Sequence, residues 1–153
     1  MIKDRIKILK SYFTEHGIDG YIIPKNDEFF SEYSEKDRLK AISNFSGSAG
    51  YAIILKNRNY LFVDGRYTIQ AQIESGKHFK IVQYEKIINC QLFKNLKLGI
   101  DPKLFTSSQV KKFFSKYNLV KKIKINLIDQ ITNDYSINKK PFFSIKDEII
   151  GEN

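Results

Sequence analysis

Two runs of branched and aromatic residues, Tyr51–Lys56 (YAIILK) and Tyr60–Val63 (YLFV), are separated only by a short polar link around Asn57-Arg58-Asn59. Side chains of this kind suit a pleated, half-buried surface, and so short a link turns the chain straight back, so the two runs pair as an antiparallel hairpin. Whatever else the chain does, it builds a sheet. The second run then passes without a spacer into Asp64-Gly65-Arg66-Tyr67, a carboxylate, a glycine and a guanidinium at the rim of that sheet.

The patterns on either side decide what kind of sheet it is. Ile2, Ile6, Leu9, Tyr12 and Phe13 recur at helical spacing up to His16, and Gly17 is a natural left-handed terminator. The segment Ile18–Pro24 (IDGYIIP) reads as a short buried strand, with Pro24 placed at its end. Ser34 followed by Asp37 predicts a cap for a short helix through Leu39 and Ile42. After the hairpin, Arg66–Ser75 closed by Gly76 reads as a helix with Ile69 and Ile73 on one face. Further on, Phe79–Tyr84 reads as a strand, Glu85–Lys97 as a helix and Leu98–Asp101 as a strand. Thr106 and Gln109 form a capping box for a helix through Tyr117, and Lys122–Ile128 (KIKINLI) alternates like a strand. Alternating helices and strands predict an α/β fold: a mixed, mostly parallel sheet with an antiparallel hairpin and flanking helices. Residues 1–140 form the domain. The segment 141–153, opened by Pro141 and carrying Ile149 and Ile150 with nothing evident to bury them, reads as a linker toward a second domain absent from this chain.

At 153 residues the chain is long enough for one real core. No run approaches the roughly 20 apolar residues that cross a bilayer, and the charged N-terminus is unlike a signal peptide, so the expectation is a cytoplasmic protein with no membrane partner. The net charge of +9 is uneven: residues 1–76 hold 11 Lys/Arg and 10 Asp/Glu, residues 77–153 hold 15 and 7. Only Arg5, Arg38, Arg58 and Arg66 are arginine. The second-half aromatics Phe79, Phe113 and Phe114 fall at core spacings, without a stacking row for bases, so no nucleic-acid partner is expected.

Several features invite chemistry and have a plainer reading. The glycines of SGSAGY precede a strand, whereas a phosphate loop opens a helix, so Gly47 and Gly50 read as close backbone approaches. Cys90 is alone and reads as a small buried hydrophobe. His16 and His78 lack ligand-spaced partners, and the carboxylates Asp27, Glu28, Glu32, Glu35 and Asp37 read as a solvated rim. No metal site and no catalytic residue is expected in this chain.

What remains is the ordered set DGYIIP, SEY, FSGSAG and VDGRY. In this order and spacing it resembles the N-terminal domain of the Xaa-Pro aminopeptidases, of the creatinase and prolidase superfamily, and most closely the long three-domain cytosolic type. Tyr21–Pro24, Ser31–Tyr33, Phe45–Gly50, Val63–Tyr67 and Thr68–Ala71 stand where that family has YIIP, SEY, FxGSAG, TDGRY and a helix of the form FLQA. Gly99–Pro102 and Leu127–Ile131 resemble its GVDP and LVDKI.

The resemblance implies a ribonuclease H-like α/β fold and a parent enzyme that releases the N-terminal residue from peptides with proline in second position. It implies two metal ions, commonly manganese, held by two Asp, one His and two Glu in a C-terminal domain, so this chain alone holds no cofactor and is inactive. The implied partners are a proline-containing peptide, the enzyme's own middle and C-terminal domains, and a second subunit in a homodimer. In the long members the arginine matching Arg66 contacts the bound peptide, which suits a permanently charged, rigid fork of donors. Gly65 then allows a sharp turn, Asp64 orients Arg66 or caps the next helix, and Tyr67 and Glu32 support them. The competing reading pairs Arg66 with Asp64 or Glu32 and nothing more. A related fold also serves a histone chaperone as a binding platform without metal ligands; the retained DGRY argues against that alternative here.

Overall fold

In a computed structural model, described for residues 1–31, 36–88 and 92–133, the hairpin lies inside a six-stranded sheet. The strands are β1 (Gly20–Pro24), β2 (Gly50–Leu55), β3 (Asn59–Val63), β4 (Lys80–Gln83), β5 (Lys97–Ile100) and β6 (Leu119–Lys122), in the spatial order β4-β3-β2-β1-β5-β6. The pairs β3–β4, β1–β5 and β5–β6 are parallel; β1–β2 and β2–β3 are antiparallel. The sheet is therefore mixed and mostly parallel, as expected, with a second antiparallel pair that the sequence patterns did not indicate.

Both faces are covered, which explains why the central strands are continuous apolar runs. Successive side chains of a strand point to opposite faces. Tyr21, Ile23, Ala52, Ile54, Leu61 and Val63 join one core with Leu9 and Phe13 of α1 (Ile2–His16), Leu39 of α2 (Arg38–Ser43), Ala71 of α3 (Thr68–Ser75) and Leu127 of α5 (Leu127–Thr132). Ile22, Ile53, Tyr60 and Phe62 join the other, closed by Phe93, Phe105 and Phe114 with help from α4 (Ser107–Phe113). Gly17 ends α1 at φ 57, and a Cβ on Gly50 would sit 2.8 Å from the Phe62 carbonyl oxygen, so a close backbone approach explains that glycine.

Four expectations shift. α2 is capped by Asp37 itself, whose carboxylate accepts the Lys40 N–H at 2.9 Å; Ser34 lies outside the described residues. The helix expected over 85–97 is, among the described residues, only a 3-10 turn at Tyr84–Ile87, because Phe93 must drop onto Phe62. Cys90 is outside them. The strand expected at 122–128 lies earlier, at β6: the Asn126 side chain accepts the Ile128 and Asp129 N–H groups and starts α5, so adjacent Leu127 and Ile128 are both buried, which a strand facing one core does not allow. Ile69 and Ile73 do share a face, but they are 77% and 80% exposed while Ala71 and Ser75 face the core. The capping box of Thr106 and Gln109 is present, and its helix stops at Phe113, short of Tyr117.

One ion cluster ties the helical layer to the loop after β1. Arg38, 4% exposed, donates through Nε to Asp129 Oδ1 at 2.7 Å and through Nη2 to Asp129 Oδ2 at 2.8 Å and to Glu28 Oε1 at 2.7 Å. Burial opposes its charge, but the bonds and charges of Asp129 and Glu28 outweigh that and hold it protonated. Glu28 is likewise pushed up by burial and pulled down further by Arg38. Removing the shared cation strands two carboxylates, so Arg38→Ala is expected to lower unfolding free energy by about 2 to 4 kcal/mol in urea denaturation, somewhat less than for a wholly buried pair because Glu28 still reaches water.

Candidate functional site at the carboxyl end of the sheet

The parallel strands β1, β3 and β4 end on one side of the sheet and release their chains into Lys25, Asp64 and Tyr84. In open α/β sheets this is the end at which ligands gather. A cleft of about 260 Å³ opens there, lined by Lys25, Phe30, Ser48, Tyr51, Asp64 and Tyr84.

Asp64 braces Arg66, and the turn it caps is the 3-10 turn before α3, whose own N-cap is Tyr67. The Asp64 Oδ1 accepts the Arg66 backbone N–H and the Arg66 Nε–H, each at 2.9 Å, capping the 3-10 turn Gly65–Tyr67 and bracing the guanidinium. The Arg66 N–H and then the guanidinium hold the Asp64 carboxyl below its ordinary value. The Asp64–Arg66 pair proposed as the plain alternative therefore exists, but as an exposed contact that contributes little to stability. Arg66 itself is 76% exposed, with its guanidinium carbon 5.5 Å from the centre of the Tyr67 ring. Glu32 lies outside the described residues.

The glycine of this motif needs correcting. Gly65 does not adopt a positive φ, and a Cβ built on it would meet nothing within 4 Å. The turn into α3 does not require a glycine there.

Sequence reasoning missed Ser48. Its hydroxyl lies 2.8 Å from the Tyr67 hydroxyl, and Phe45 meets the Tyr67 ring edge-on at 5.9 Å, so the FSGSAG and DGRY segments grip each other. Ser46 strengthens the grip: its N–H and hydroxyl donate to Glu74 at 2.8 and 2.7 Å, and Gln70 donates to the Ser46 hydroxyl at 2.8 Å. These contacts turn the loop's polar groups toward α3. A signal was available, since two serines flank Gly47, but it was read only as backbone.

The loop after β1 was also missed as a wall. Asp27 Oδ1 accepts the N–H groups of Phe29 and Ser31, each at 2.9 Å, and the tight turn leaves Phe30 at φ 61 and Phe29 88% exposed. A phenylalanine in the left-handed region is not something residue preferences announce. Among the described residues no group of three or more His, Cys, Asp or Glu side chains is placed to hold a metal.

Comparison with known proteins adds what geometry does not. Residues 5–130 match the family described as the Creatinase/Prolidase N-terminal domain. The Laccaria bicolor protein named Probable Xaa-Pro aminopeptidase P is 34% identical over 84% of this chain, and the Dictyostelium discoideum Xaa-Pro aminopeptidase 1 is 30% identical over 99% of it. This chain spans only 22% and 28% of their lengths. The crystal structure of X-prolyl aminopeptidase from Caenorhabditis elegans, described as a cytosolic enzyme with a di-nuclear active site, superposes with TM-score 0.76 at 23% identity over 90% of this chain and 26% of that one.

Two stability outcomes follow from the site's packing. Gly65→Ala is expected to leave thermal unfolding unchanged or to raise unfolding free energy by up to about 1 kcal/mol, since only unfolded-chain entropy changes. Ser48→Ala is expected to lower it by about 0.5 to 1.5 kcal/mol, and adding Tyr67→Phe to that variant should cost little more, because both remove one hydrogen bond.

Proposed function

The chain belongs to the creatinase/prolidase N-terminal domain family, and from that premise we propose that it is the non-catalytic N-terminal domain of an Xaa-Pro aminopeptidase, contributing to the substrate cleft and to dimer contacts. The observation that carries this reading is Arg66, held by Asp64 and Tyr67 yet 76% exposed at the carboxyl end of the sheet. A guanidinium in that setting keeps its charge and offers a planar fork of donors, suited to a carbonyl or carboxylate of a peptide lying across the rim.

No group of three or more His, Cys, Asp or Glu side chains is placed to hold a metal among the described residues. On the family resemblance we assign the two metal ions, manganese, to a C-terminal domain outside this chain. The part played here is to bind and orient the peptide. Cytoplasmic location, a homodimeric parent and a linker role for residues 141–153 belong to the same reading.

Arg66→Ala in the complete enzyme is expected to lower kcat/KM about 10- to 100-fold on Xaa-Pro peptides, the usual scale for a charge-assisted hydrogen bond. Arg66→Lys should recover only part, because an ammonium does not reproduce the fork. Unaltered kinetics in both variants would remove the substrate role.

A further inference from the structure

Arg66 does not account for the cleft beside it. Asp64 braces Arg66 and also lines the cleft, so the cleft lies beside the contact proposed for Arg66. The other polar groups on its walls are engaged within the chain: the Lys25 ammonium pairs with Asp37, and the Ser48 hydroxyl bonds Tyr67. What the cleft offers an incoming group is mainly ring surface, from Phe30 and Tyr84, with the buried Tyr51 stacked behind Tyr84 at a centroid distance of 5.6 Å.

The Phe30 wall is built against a backbone preference. Phenylalanine at φ 61 sits in the left-handed region, which a side chain of this kind disfavours. Three sets of contacts fix the turn in place: the two N–H groups on Asp27, the Glu28 link to Arg38, and the Asn26 side chain, which donates to the Leu104 carbonyl at 3.0 Å. Phe30 stays 47% exposed, so burial does not repay the strain. Strain kept in a rigid turn that presents an aromatic ring to a cleft points to a ligand for that ring.

We propose that the cleft is a subsite for one large apolar side chain of the peptide, the residue that follows the proline. This rests on the aminopeptidase reading. Such an enzyme has a single residue on the amino side of the bond it cleaves, so a domain that adds surface away from the metal centre meets the continuing peptide. A volume of about 260 Å³ suits one side chain and lies below the roughly 300–1,000 Å³ of pockets that engulf whole drug-sized ligands.

The test uses the complete enzyme and two peptides that differ only in the third residue, phenylalanine or alanine. The enzyme is expected to prefer the phenylalanine peptide at least about tenfold in kcat/KM, the usual yield of an apolar pocket. Phe30→Gly and Tyr84→Ala should each shrink that preference to about twofold or less. Glycine accepts the φ of position 30, so the first variant keeps its fold, which thermal unfolding checks. No preference in the parent enzyme, or a preference that survives both variants, overturns the subsite. Arg66→Ala reads separately: it should slow both peptides by the same factor. If it slows neither, the assigned role of Arg66 fails, while the ratio between the two peptides still decides the subsite.

Discussion

The ladder formed by β1, β2 and β3 is buried on both faces, and its backbone has no water to turn to. Each N–H and C=O there has to be met by a neighbouring strand, and a register slip of one residue would exchange the two cores. Tyr21, Ile54 and Leu61 on one side and Ile22, Ile53 and Phe62 on the other admit one alignment, Ile22 opposite Ile53 and Ile53 opposite Tyr60. The positions of all strand ends follow from it. So does the rim, because Pro24 and Val63 fix where Lys25 and Asp64 emerge.

At that rim the polar groups hold one another. Ser48 meets Tyr67, Ser46 meets Glu74, Asp64 meets Arg66 and Lys25 meets Asp37. Such mutual satisfaction makes a frame whose geometry is set by contacts within the chain itself. The exposed guanidinium and the ring-lined cleft are two parts of that frame with different chemistry, one for charge and one for apolar surface.

The hairpin, the first helix with its Gly17 terminus, the capping box at Thr106 and the alternation of helices and strands were legible because each rests on contacts within a few residues. The order and spacing of short motifs gave the family, which the match over residues 5–130 bears out. Less legible was whatever long-range packing decides. An isoleucine pair at helical spacing on α3 looks like a buried face until Ala71 and Ser75 turn out to be the residues that fit against the core. Lys122–Ile128 alternates like a strand, yet one Asn126 side chain redirects it. Gly65 looks indispensable beside Arg66 and is not strained at all, and Phe30 looks ordinary and is. The Asp64–Arg66 contact was legible in the charges of the motif, whereas the aromatic walls beside it were not.

The Arg38 cluster also orders events in time. Arg38 and Asp129 are 91 residues apart, whereas β1, β2 and β3 follow one another closely in the chain. During synthesis the hairpin and its neighbour strand can assemble as soon as they emerge, but the cation that anchors Glu28 waits for its second counter-charge until α5 has been made. The rim loop thus depends, through Glu28 and Arg38, on a residue of the last described helix.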